Sequence, residues 1–106
     1  MPPEQTLAAQ LAIFMQELTD TIARTPDKAD RERLLAQQQE VAAKRQAVIA
    51  QGVAQHVAEY QAATKAVKDS IKALQATKAD IAKVAKAIET VATVVSAIAK
   101  LASAVV

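Results

Sequence analysis

The chain of 106 residues contains no cysteine, no tryptophan, a single glycine and only two aromatic residues, Phe14 and Tyr60. Without cysteine it has no disulfide framework, no thiolate nucleophile and no cysteine-based metal site. One glycine and three prolines, two of them at positions 2 and 3, are too few for the frequent turns of a β protein. The sequence therefore predicts an all-α protein without strands.

Groups that carry catalysis are equally scarce. The chain has one histidine, His56, whereas di-iron helical bundles draw Glu-x-x-His motifs from two helices. The three serines (Ser70, Ser96 and Ser103) have no glycine-rich elbow and no second histidine to activate them. We therefore predict that the chain is not an enzyme. It is expected to have no catalytic, cofactor-binding or metal-binding residues, no cofactor and no small-molecule substrate.

The amino-terminal segment lacks a leading basic residue, and its apolar stretch is interrupted by acids and glutamines. This pattern does not predict a cleavable secretory signal peptide. Both a cytoplasmic location and export by a signal-independent route remain open.

Charge is distributed unevenly along the chain, although the net charge is only +2. Residues 1–59 carry −2 and residues 60–106 carry +4, which favours antiparallel folding or a basic face for an anionic partner. Nucleic acid is not an expected partner, because arginine clusters and interleaved aromatics are absent. The alternative is an ordinary solvated helix face. The candidate contacts to an anionic partner are Lys65, Lys68, Lys72, Lys83 and Lys86.

What the chain has in abundance is alanine, which makes up about a quarter of its residues. Alanine is the best helix former and lets two helix backbones approach closely. Each buried alanine removes little apolar area from water, so it stabilises the fold only slightly at about 25 cal/mol per Å² of buried surface. We therefore expect close-packed helices that gain further burial by self-association or by binding a protein partner.

Large apolar residues mark the first helix. Leu7, Leu11, Phe14, Leu18 and Ile22 recur at spacings of three and four, which predicts one buried helix face over about residues 4–24. Pro26 predicts a corner at residues 25–26, with Thr25 as the N-cap of the next helix.

After the corner, residues 27–105 read as one long helical region of a single domain, with bends near residues 50–52 and 76–80. Two architectures fit: a hairpin or three-helix arrangement with a long rod, or a bundle of four helices over about 4–24, 27–50, 53–76 and 79–105. We favour fewer, longer helices, because the second architecture needs two corners without proper turn residues. Gly52, at the first of these positions, is expected to form at most a bend.

A heptad repeat runs through the second half of the chain, which predicts left-handed, coiled-coil-like packing in a hairpin or a three- or four-helix bundle. The residues of this repeat form an apolar seam for interaction with another helix. The seam consists of Val53, Val57, Tyr60, Val67, Ile71, Leu74, Ile81, Val84, Ile88, Val91, Val95 and Ile98.

The carboxyl-terminal segment is the most apolar part. Its last seventeen residues, 90–106, carry a single charge at Lys100. Such a helix is most often part of a core, and less often a surface that binds a partner or a bilayer. The leading functional hypothesis is a helical protein–protein interaction or self-assembly module without catalytic activity. The alternative is a membrane-active protein whose helix 81–106 inserts into or lies on a membrane.

Overall fold

The computed structural model describes residues 7–51 and 57–104, with side chains over residues 7–45 and 58–103. The described residues form four packed helices and no strand, which confirms the all-α prediction. The helices are α1 (Leu7–Arg24), α2 (Lys28–Gln51), α3 (Val57–Ala79) and α4 (Val84–Ala104), with a short 3-10 turn (Ile81–Lys83) before α4. Gly52 and Val53 lie outside the described residues.

The corner between α1 and α2 is built by Pro26 and its neighbours. α1 ends at Arg24, and Asp27 caps α2: the Asp30 N–H donates to Asp27 Oδ2 at 2.9 Å. The prediction of Thr25 as the N-cap was wrong. The Thr25 hydroxyl instead donates backward to the Thr21 carbonyl at 2.7 Å, because it lies two residues too early to reach the free N–H groups of α2.

The corner between α3 and α4 depends on one carboxylate. Asp80 adopts an extended backbone (φ −146°, ψ 96°), and its Oδ1 accepts a hydrogen bond from the Ala82 N–H at 3.2 Å. The preference for fewer, longer helices was therefore wrong. An extended aspartate that caps the next turn reverses the chain without glycine or proline.

The four helices form a ring in the order α1, α2, α4, α3, so that α2 and α3 lie on a diagonal. α1 and α2 are antiparallel, and the Gln38 side chain of α2 donates to the Met15 carbonyl of α1. α3 and α4 are also antiparallel. The hydroxyl oxygens of Ser70 and Thr90 lie 3.3 Å apart, and the Thr77 hydroxyl donates to the Lys83 carbonyl at 3.4 Å. α1 and α3 are parallel, because Tyr60 meets Leu7 at their starts. The radius of gyration of 13.4 Å is close to the ~13 Å expected for a compact domain of this length.

The core fills the space between these helices. α1 supplies the largest side chain, Phe14, and the apolar face predicted for this helix is buried apart from the half-buried Ile22. α2 contributes little, with Leu34 and Val41 as its buried apolar residues among those described. Among its described side chains, α4 contributes six to the core, which are Ala87, Ile88, Val91, Val94, Ile98 and Leu101.

Candidate interaction surface

The seam predicted from the heptad repeat lies mostly inside the chain's own bundle. Its central members on α3 and α4 are buried, and the others that the structure describes are half-buried. Val53 and the side chain of Val57 lie outside the described residues. The helices that cover the seam thus belong to the same chain. The buried members are Val67, Ile71, Leu74, Ile88, Val91 and Ile98, and the half-buried ones are Tyr60, Ile81, Val84 and Val95.

Because α4 turns its apolar side to the core, its other side faces solvent with small and polar residues. We call this the outer face of α4. It contains no residue larger than threonine except for three charged side chains, two lysines and one glutamate. The outer face consists of the exposed residues Ala85, Lys86, Glu89, Ala92, Thr93, Ser96, Lys100 and Ser103.

A groove of about 530 Å³ runs along one edge of this face, between α3 and α4. Its walls are short because alanines from both helices form them, and the Thr93 and Ser96 hydroxyls supply polar groups. Glu59 and Lys100 lie at the same groove. Its alanine walls are Ala58, Ala62, Ala92 and Ala97.

A second groove, of about 410 Å³, lies on the opposite edge between α2 and α4. Arg33, Gln37 and Glu40 line it from α2, and Ala92 and Val95 from α4. Ala92 therefore lines both grooves, and α4 forms a low ridge between them.

Gln37 ties α2 to α4 beneath the second groove. Its Nε2 donates to the Ile88 carbonyl at 3.3 Å, while its Oε1 is buried and has no hydrogen-bond partner among the described residues. This polar tie holds α2, which has few apolar contacts, against α4. No local pattern in the sequence marks this contact, because it joins residues fifty-one positions apart.

The lysines proposed for an anionic partner are all exposed. Lys65 pairs with Asp69 on its own helix at 3.1 Å, and both side chains are largely in solvent. Lys68 and Lys72 lie on the same exposed side of α3, and Lys83 and Lys86 lie at the start of the α4 segment. An anionic partner for these residues stays a prediction.

A charge cluster joins the end of α3 to α1. It lies away from the outer face of α4. Lys78 Nζ lies 2.6 Å from Glu17 Oε2 and 3.6 Å from Asp20 Oδ2. The hydrogen bond to Glu17 raises the pKa of Lys78; desolvation opposes this, and attraction to Glu17 and Asp20 adds to it. The sequence did not single out this cluster, because its members come from two helices.

Because the pKa of Lys78 is raised above 10.5 in the folded state, its contribution to stability is complete below that pH. The contribution is lost as the pH rises through the folded-state pKa. We therefore expect Lys78→Met to destabilise the protein at pH 9 and to differ less from wild type as the pH rises beyond ~10.5. Urea unfolding at several pH values measures this difference. Lys65→Met, at a largely exposed side chain, is the control and should change stability little at any pH. A constant penalty for Lys78→Met would contradict the assignment.

Within the described part of the chain, no group of three or more His, Asp or Glu residues could hold a metal ion, and His56 lies outside that part. None of the described helices is long and apolar enough to cross a membrane. Comparisons with protein-family models, with curated proteins and with solved structures found no match for this chain. Function is therefore inferred from the geometry of α4 and its two grooves.

Proposed function

We propose that this chain is a helical self-association module that uses the outer face of α4 and has no active site. One observation about α4 carries the proposal. Its apolar side is buried in the core, and its exposed side is a ridge of small residues between two grooves. Small side chains allow a second helix to pack with its axis about 8 Å away, which is the lower end of the range of interaxial distances.

The rigidity of the surface supports the same proposal. Both grooves are walled by residues on helices rather than on loops, so docking orders little additional chain. The hydroxyls of Thr93 and Ser96 add hydrogen-bonding groups at the centre of the face. In contrast, the membrane-active alternative requires α4 to leave the bundle, which would expose the six core residues that it contributes.

The test is the molar mass by sedimentation equilibrium from low micromolar to millimolar chain, with and without vesicles of anionic lipid. We expect a concentration-dependent rise in mass without vesicles and no change in the free species when vesicles are added. A chain that stays monomeric over the whole range contradicts the proposal. Binding to vesicles with loss of the folded core would favour the membrane-active alternative instead.

A matched pair of variants locates the association. Ser96→Arg places a long charged side chain at the centre of the outer face and should keep the chain monomeric, because it blocks close approach. Gln61→Arg adds the same charge at an exposed position of α3 that lines neither groove, and it should associate as wild type does. Circular dichroism checks that both variants keep their helix content.

A further inference from the structure

Two side chains of opposite charge bracket the centre of the outer face of α4. Glu89 and Lys100 are eleven residues apart, which is about three helical turns or roughly 16 Å, and they therefore lie on nearly the same side of the helix. Both residues are exposed. Within the described part of the chain, neither side chain takes part in a salt bridge. The residues between them on the face are Ala92, Thr93 and Ser96.

We infer that the outer face of α4 binds the same face of a second copy, with the two α4 helices antiparallel about a twofold axis that passes between Thr93 and Ser96. This inference rests on the proposed self-association through this face and adds the antiparallel orientation and the register. An isologous twofold contact must be complementary to itself, since each residue that one copy offers is met by the other. Reversing the order of residues along this face supplies such complementarity.

The register follows from simple counting along α4. A twofold axis midway between Thr93 and Ser96 places Thr93 opposite Ser96 of the second copy, and Glu89 opposite Lys100 of the second copy. Each contact occurs twice. Lys86 then meets Ser103 of the second copy rather than another lysine, so the face has no opposed like charges in this register. A parallel pairing in register would instead place Glu89 beside Glu89 and Lys100 beside Lys100.

The small size of the central side chains supports this arrangement, in addition to the charge pattern. At the centre of the contact, each helix presents alanine, threonine and serine, which permit close approach. The charged side chains stand at the ends of the contact, where they can reach across while remaining in solvent. Two exposed ion pairs of this kind add modest affinity, but they discriminate strongly between registers because wrong pairings oppose like charges.

Charge reversal tests the pairing. Glu89→Lys and Lys100→Glu should each weaken the dimer about tenfold, because two exposed contacts change from attraction to repulsion together. The double variant should return the dissociation constant to within about threefold of wild type, because both contacts become attractive again. Sedimentation equilibrium at low salt measures all four proteins. Controls with the same charge changes are Glu32→Lys and Lys28→Glu on α2, both exposed residues that line neither groove.

The absence of cysteine makes an independent measurement of register clean. A Thr93→Cys protein mixed with a Ser96→Cys protein should form the mixed disulfide faster than either protein links to itself. Disulfides require the two Cα atoms to lie within about 4.4–6.8 Å, and in this register Thr93 lies closer to Ser96 of the second copy than either residue lies to its own counterpart.

The outcomes separate the inference from the proposal beneath it. A wild-type protein that is monomeric at every concentration contradicts both the inference and the proposed self-association. A dimer that ignores both charge reversals overturns the pairing of Glu89 with Lys100 and leaves self-association standing. Weakening by both single variants without rescue in the double variant keeps the face but overturns the antiparallel register. Rescue together with the preferred mixed disulfide establishes the inference.

Discussion

Replacing Phe14 by alanine should lower the free energy of unfolding by about 3–5 kcal/mol, the largest loss expected when any core side chain of this chain is cut back to alanine. Phe14 is the largest fully buried side chain and is 0% exposed. Its removal leaves a cavity between helices whose other core residues are mostly aliphatic. Chains rich in alanine have few large side chains to close such a cavity, because alanine cannot extend into it.

Urea unfolding followed by circular dichroism measures this loss. The matched control is Ile13→Ala, one residue earlier on the same helix, whose side chain is 41% exposed. That substitution should cost less than about 1 kcal/mol, because Ile13 borders solvent and its truncation leaves no enclosed cavity in the core. Similar losses for the two variants would show that the face of α1 toward the core has been misassigned.

A chain that ends at Asp80 should not fold on its own. α4 supplies Ile88, Val91, Val94, Ile98 and Leu101 to the core, along with Ala87. At about 1.5–3 kcal/mol for each large side chain, these residues account for as much free energy as the whole stability of a small domain, about 5–15 kcal/mol. Circular dichroism and thermal unfolding of the truncated chain should show no cooperative transition.

Complementation provides the control for this truncation. A peptide of residues 81–106 added to the truncated chain should restore helix content and a cooperative transition, because it returns the missing quarter of the bundle. If the truncated chain unfolds cooperatively without the peptide, α4 is peripheral to the fold. Loss of vesicle binding in that same folded remainder would favour the membrane-active alternative.

The sequence predicts the helices of this chain better than it predicts their connections. The α1 face was readable because Leu7, Leu11, Phe14 and Leu18 are large side chains at helical spacing. A bend near residues 76–80 was predicted, but the favoured architecture had no reversal of the chain at Asp80. This corner rests on a hydrogen bond from the Ala82 N–H to one carboxylate, and an aspartate in an alanine-rich segment looks the same whether it caps a helix or lies on its surface.

The heptad repeat shows a second limit of sequence. Val67 and Leu74 belong to α3, whereas Ile88 and Val95 belong to α4, yet their spacing of seven continues across the corner between the helices. Periodicity identifies the apolar side of a helix, but it does not say which helix covers that side. Here the cover comes from the same chain, and the surface proposed for a partner is the one that the repeat avoids.

Only the three-dimensional arrangement reveals the outer face of α4 as a ridge. The small residues of this face were visible in the sequence as a polar side of the last helix. The grooves beside them depend on alanines from α2 and α3, such as Ala36 and Ala62. These residues come near α4 through the ring order of the helices, which no local pattern encodes.

The junction between the starts of α1 and α3 also gives the protein an optical reporter. Tyr60 Oη accepts a hydrogen bond from the Leu7 N–H at 2.9 Å, satisfying one of the free donors at the beginning of α1. Because the chain has one tyrosine and no tryptophan, its near-ultraviolet absorbance and intrinsic emission arise almost entirely from this site. Spectroscopy without any label therefore follows the docking of one helix end onto another, while circular dichroism follows the helices themselves.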